Sequence, residues 1–174
     1  MVELALAVGE RMRLSPIQLR NLEFGALLHD VGKIAVPKEI INKPGPLNDA
    51  EWEVMRSHTV EGQRMLESVG GALTPVGVIV RASHEDYDRT GYPDGLSGNA
   101  IPIEARICSA SDAFSAMTTD RAYRAAMTEE EALTELRRCA GTQFDPRVVA
   151  ALESILRGRG VSAPPVEALT SAVA

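Results

Sequence analysis

Apolar positions recur at three- and four-residue spacing along most of this 174-residue chain, the period of helices that each bury one face. The spacing predicts a first helix over 2–12. Ser15-Pro16, a capping residue followed by proline at the first helical position, opens a second that runs to about Val31, where Gly32 stops it. Residues 34–47 contain Pro37, Pro44, Gly45 and Pro46 and read as a loop with room for one short helical turn. Asn48-x-x-Glu51 is a capping box for a helix reaching about Ser57. Further helices are predicted over about 59–69 and 73–86.

The stretch from Asp86 to Pro102 is rich in Gly, Pro, Asp and Asn and is too long for an ordinary connection; loops of that size in a compact domain are often functional. Ile103 to Thr118 is apolar or small nearly all round, which predicts a buried helix. Thr128-x-x-Glu131 caps the next helix, and Asp145-Pro146 opens a last one to about Leu156. From Gly158, small residues and Pro164-Pro165 predict a loosely held tail. No internal repeat and no convincing strand is present, so the expected fold class is all-α. A helix that starts at the first residue with nothing to cap it suggests a piece of something longer.

Composition narrows the picture. Apolar residues make up 45% and aromatics only 4%, so the core is built from Leu, Val, Ile, Ala and Met, which favours helices over strands. A formal charge of −6 argues against a duplex nucleic acid as partner, because phosphate-backbone affinity needs a basic surface. A small phosphorylated substrate is compatible with that charge if the positive charge is local and metal-borne. Cys108 and Cys139 have neither metal-motif spacing nor disulfide density, no run suits a membrane span, and the start lacks a basic leader. A cytoplasmic setting without membrane contact is the expectation.

Against this background the three histidines stand out, since each lies beside a carboxylate or in a motif-like string. His29-Asp30 sits among Leu27, Leu28 and Val31, where a polar pair must be satisfied or coordinated. A hydrogen-bonded core histidine is the plain alternative, and for Lys33 it is a solvated lysine at a helix C-terminus. His58 alone reads as a surface or capping residue, and His84-Glu85 alone is unremarkable. Asp112 is sharper, because it falls inside a helix expected to be buried and needs a metal ion or an arginine as partner. Imidazole with carboxylate is the ligand set of Zn, Fe, Mn or Ni.

Taken together the strings resemble a known family. His29-Asp30-Val31-Gly32-Lys33 is similar to the HD-x-G-K signature of HD-domain metal phosphohydrolases. Asp88 to Gly98 with Ile101-Pro102, holding Gly91-Tyr92-Pro93, resembles the extension of HD-GYP proteins, as does Asp112-Ala113-Phe114 continuing to Arg124. The likeness covers roughly residues 1–157, the expected domain, and implies an HD-domain helical bundle with a GYP loop extension. Known members are cyclic di-GMP phosphodiesterases with two or three metals, often iron, that yield pGpG or GMP. By resemblance His29, Asp30, His58, His84 and Asp112 match metal ligands for two divalent-metal sites (Fe, Mn, Zn or Ni), with Asp30 the bridge. Asp30 and Lys33 match the catalytic pair. Lys33, Gly91, Tyr92, Pro93, Arg121 and Arg124 match the substrate side.

The family also leads one to expect an N-terminal sensory or receiver domain in a longer protein, and a homodimer or a partner docked through the GYP loop. Three departures stand against the pattern. Ser83 occupies the place of the first of two adjacent histidines, a further histidine ligand aligns before Met1, and Arg89 stands where the family commonly has Gly. The alternative raised by Ser83 and the absent upstream histidine is a degenerate module that binds nucleotide or a partner without efficient catalysis.

Overall fold

The computed structural model describes residues 1–120 and 125–159. Among them the chain forms helices α1 (Val2–Arg11), α2 (Pro16–Leu28), α3 (Lys38–Ile41), α4 (Asp49–Arg56), α5 (His58–Val69), α6 (Thr74–Arg81), α7 (Ile103–Met117), α8 (Glu129–Arg138) and α9 (Pro146–Arg159). Short 3₁₀ helices at Val31–Ala35, Gly71–Leu73 and Gly98–Ala100 fill the connections. No strand forms among the described residues, only the isolated bridges Asp88–Ser97 and Ala140–Phe144, so the all-α expectation holds.

The predicted starts are real caps. Ser15, Asn48 and Thr128 each close a complete capping box, with Gln18, Glu51 and Glu131 as the returning partners, and each cap contributes on the order of 1 kcal/mol. The predicted ends fare less well. Helix α2 ends at Leu28, three residues before Val31, because the His29 ring Nδ1 donates to the carbonyl of Ala26 at 2.9 Å and takes up a carbonyl at the helix end. Helix α6 ends at Arg81 rather than near residue 86, and Ser83 closes it in the same manner, its hydroxyl donating to the Val80 carbonyl at 2.8 Å. Helix α9 runs through Gly158 to Arg159, past Leu156; a Cβ at Gly158 would meet nothing, and a single exposed Gly costs only about 1 kcal/mol.

Helix α7 is the central post and touches α1, α2, α6, α8 and α9. Ala105, Ile107, Ala110 and Phe114 carry its share of the main core, joined by Leu4, Val8, Leu22, Ile79, Leu136 and Leu152. A second small core of Leu66, Val76 and Val80 lies where α5 meets α6, with Leu28 and Val31 packed against it. Charged groups are sealed inside as well. Asp145, 1% exposed, caps α9 by accepting from Arg147 N–H at 2.9 Å and also from the buried Arg106 guanidinium at 2.6 Å. Asn99 accepts from both arginines, which ties the long loop to α7 and α9.

Candidate metal centre

The two small-core helices and the 3₁₀ turn after α2 bring the three histidines together. His29 follows α2, Asp30 and Lys33 lie at the turn, His58 opens α5, and His84 follows α6. The turn is pressed directly onto α5. A Cβ on Gly32 would overlap the carbonyl oxygen of His58 and lie 2.6 Å from the Gly62 nitrogen. Gly32 therefore does not stop the helix, as its sequence position suggests; it permits two backbones to approach closely enough for Asp30 and His58 to meet.

Each histidine except His84 is aimed by a carbonyl. His29 Nδ1 bonds Ala26 O at 2.9 Å and His58 Nδ1 bonds Met55 O at 2.7 Å. A carbonyl only accepts, so in both rings Nδ1 carries a proton, which in the neutral ring leaves the lone pair on Nε2. Those lone pairs point at carboxylates. His58 Nε2 lies 3.7 Å from Asp30 Oδ1, and His29 Nε2 lies 3.5 Å from Asp30 Oδ2 and 3.7 Å from Asp112 Oδ1. Acceptors face acceptors at distances too long for a hydrogen bond. Asp30 Oδ1 and His58 Nε2 are moreover shut off from solvent with no hydrogen-bond partner. Orphaned buried acceptors are costly, and a cation between them removes the cost. Asp30, His58 and His84 offer ligand atoms all within 4.8 Å of one another. Asp30 is thus common to two donor groups, one with His58 and His84, the other with His29 and Asp112. The residues fit a divalent metal.

The electrostatics agree. Burial pushes the His84 imidazole down to about 4, with the neighbouring His58 adding to the effect, and burial also lowers His58 against the opposing pull of the Met55 carbonyl and Asp30. Both rings are neutral near pH 7, the form that ligates metal. Burial alone would raise the Asp30 carboxyl, but the Lys33 hydrogen bond at 2.7 Å, with the field of the neighbouring His29, Lys33 and His58, outweighs it and holds it below the usual range.

The GYP segment buttresses His84. Gly91 has no room for a side chain, since a Cβ would sit 2.5 Å from His84 O and 2.6 Å from the Glu85 carbonyl carbon. Tyr92 N–H donates to His84 O at 3.0 Å, and the Tyr92 ring stacks on the His84 ring at 5.2 Å between centroids. Sequence reasoning passed over Glu85. Its carboxylate, 3% exposed, accepts from Asp94 N–H at 2.7 Å and Leu96 N–H at 2.8 Å and staples the loop beneath His84. Its adjacency to His84 just before a long loop was the available signal. Arg81 forks onto Asp94 at 2.6 and 2.7 Å and holds the same loop from outside.

Asp112 faces His29 rather than an arginine, and its side chain is 42% exposed, so the expectation of deep burial is corrected. It opens instead on a cavity of about 220 Å³, lined by His29, Ser83, His84, Cys108, Ser109 and Gln143 as well. Lys33 lies at the edge of the centre against Asp30. Arg121 and Arg124 lie outside the described residues. Arg89 adopts φ 84°, the left-handed region that favours glycine, which accounts for the preference the sequence departs from.

A family model described as HD domain matches residues 1–148. The chain is 43% identical over 160 residues to the cyclic di-GMP phosphodiesterase response regulator RpfG of Xanthomonas campestris, covering 91% of this chain and 42% of that protein. It is 37% identical over 145 residues to a cyclic di-GMP phosphodiesterase of Thermotoga maritima, covering 83% and 39%. The fold superposes with TM-score 0.71 on the crystal structure of a cyclic GMP-AMP specific phosphodiesterase of Vibrio cholerae, at 20% identity over 90% of this chain and 42% of that one. The chain thus spans about two fifths of the length of each of these relatives.

Proposed function

This chain belongs to the HD domain family, and on that premise we propose that it is a metal-dependent phosphodiesterase acting on cyclic di-GMP in a cytoplasmic signalling protein. The observation that carries the reading is the pair of buried, unpartnered acceptors, Asp30 Oδ1 and His58 Nε2, facing each other at 3.7 Å. His58, His84 and Asp30 would hold one divalent metal; His29, Asp112 and the shared Asp30 would hold a second. Iron, manganese, zinc or nickel suits this mixture of imidazole and carboxylate. Bound there, such metals neutralise diester charge and supply a nucleophilic water near neutral pH.

The chain's own residues do the rest. The Ala26 and Met55 carbonyls keep the Nε2 lone pairs of His29 and His58 directed inward. Lys33, part exposed at the rim, is a point charge whose N–H donors beyond the one bound to Asp30 can reach a phosphate oxygen. Glu85 and the Gly91-Tyr92-Pro93 turn hold His84 in position, while Tyr92 also gives the substrate a wall. Arg121 and Arg124 belong to the segment that the family resemblance assigns to phosphate. We take residues 1–157 as the catalytic domain, with a sensory or receiver domain ahead of it; the tail expected over 158–174 overlaps the end of α9 and otherwise lies outside the described residues. The GYP loop is a candidate surface for a second copy or a partner.

Ser83 favours a second reading, a module that binds nucleotide with little turnover. Its neutral hydroxyl, which donates its proton to Val80 O, is a poorer ligand than imidazole for a metal beside His29 and Asp112. One experiment separates the two: metal content by elemental analysis, with cyclic di-GMP turnover, for the natural chain and Asp30→Ala. Bound metal and turnover in the first, and neither in the second, are expected. Asp30→Ala with unchanged metal and turnover defeats the assignment of Asp30; a natural chain that binds no metal defeats the enzyme.

A further inference from the structure

Helix α4 contributes no buried residue to either core. Its side chains are nonetheless ordered by position: Asp49, Trp52, Glu53 and Arg56 stand at i, i+3, i+4 and i+7 on one face. That face is a wall. Asp49, Glu53 and Arg56 line a cleft of about 350 Å³ whose far side is Val60, Tyr92 and Pro93. The Arg56 guanidinium rests against two aromatic rings, 5.4 Å from the Tyr92 centroid and 5.8 Å from that of Trp52. Although Glu53 lies three positions before it, Arg56 makes no ion pair among the described residues, and neither do Asp49 and Glu53. The cleft therefore presents unused guanidinium donors beside unused carboxylate acceptors, with a flat ring between.

Tyr92 joins this cleft to the metal centre, because the same ring stacks on His84 at 5.2 Å. A nucleotide whose phosphate lay at the centre would find the cleft one aromatic ring away. The polar edge selects the base. Carboxylates only accept, and guanidinium only donates. Guanine offers two adjacent donors, N1–H and the N2 amino group, next to the acceptor O6. Adenine puts the lone pair of N1 where guanine has a proton, against the carboxylate. Rings and the guanidinium plane stack on any base, so selectivity falls to the edge.

We propose that this cleft is a guanine-binding subsite, with Tyr92 and Arg56 stacking or bonding the base and Glu53, beside Asp49, accepting its N1–H and N2–H. Its place next to the phosphate rests on the phosphodiesterase reading; its base preference does not.

Trp52 is the only tryptophan of the chain and lies against Arg56, so its fluorescence reports on the cleft through that guanidinium. Titration of the metal-loaded full chain with GMP and with AMP compares ligands of identical phosphate, neither of which is a cyclic diester. GMP should bind roughly tenfold or more tightly than AMP, and Glu53→Gln should remove most of that ratio, as expected for one lost bidentate base contact. Glu53 is exposed, so circular dichroism of the variant serves as the control for folding. Equal affinities for the two nucleotides, or a ratio untouched by Glu53→Gln, overturn the subsite. Cyclic di-GMP turnover measured in parallel separates the claims. Selectivity without turnover supports the subsite and overturns only hydrolysis, whereas turnover without selectivity does the reverse.

Discussion

Replacing Gly32 by alanine tests the geometry that assembles the centre. Two accounts of this glycine differ in sign. As a helix stop in an exposed turn, Gly32→Ala would be neutral or mildly stabilising, since alanine restricts the unfolded chain by up to about 1 kcal/mol. The structure demands the opposite. The new Cβ would stand 2.6 Å from Gly62 N, about 0.4 Å inside the 3.0 Å floor for such atoms, and deeper still into the His58 carbonyl oxygen. Both obstacles are backbone of α5 and cannot rotate away. Overpacking costs typically about 1–3 kcal/mol, and with no side chain to give, Gly32→Ala should fall at the upper end, about 2–3 kcal/mol. Equilibrium urea unfolding in chelator measures this directly. Relief by separating the turn from α5 also pulls Asp30 from His58, and a shift approaching 1 Å costs on the order of a hundredfold in rate. Metal content and turnover should thus drop together in the folded variant. A stability within about 0.5 kcal/mol of the natural chain, with metal retained, would refute the close-approach argument.

Three further outcomes are expected. Ser83→His should tighten metal binding about tenfold, about 1.4 kcal/mol, because its side chain borders the 220 Å³ cavity beside His29 and Asp112; losing the Ser83–Val80 bond costs about 1 kcal/mol of apo stability, and unchanged metal affinity rejects the prediction. Arg89→Gly should stabilise by about 0.5–1 kcal/mol, the left-handed strain relieved at φ 84° less the entropy that glycine adds to the unfolded chain; a lower urea midpoint contradicts it. For the metal-free protein, His84 is neutral in both states above pH 6.5, so its contribution is unchanged there; as pH falls toward about 4 only the unfolded chain takes up the proton, and stability declines by up to about 3 kcal/mol. The difference between the natural chain and His84→Asn across that window isolates the effect, and parallel curves would count against it.

The elements themselves were legible in the chain. Capping boxes at Ser15, Asn48 and Thr128 and the 3.6-residue period are local signals, and local chemistry is enough to start a helix. The candidate residues could be named from the chain as well, because His29-Asp30 and Gly91-Tyr92-Pro93 are contiguous strings. Periodicity and capping signals did not say where two of the helices end or what the motifs do. Helix α2 stops at Leu28 because His29 turns back to Ala26, and α6 stops at Arg81 as Ser83 bonds Val80 and the following loop closes over Glu85. Gly32 reads as a turn residue until α5 lies against it, and the Glu85 carboxylate reads as surface charge until two loop amides reach it. The contacts that couple residues 30 and 58, 85 and 96, and 106 and 145 depend on packing between segments distant in sequence, and only the tertiary structure decides them.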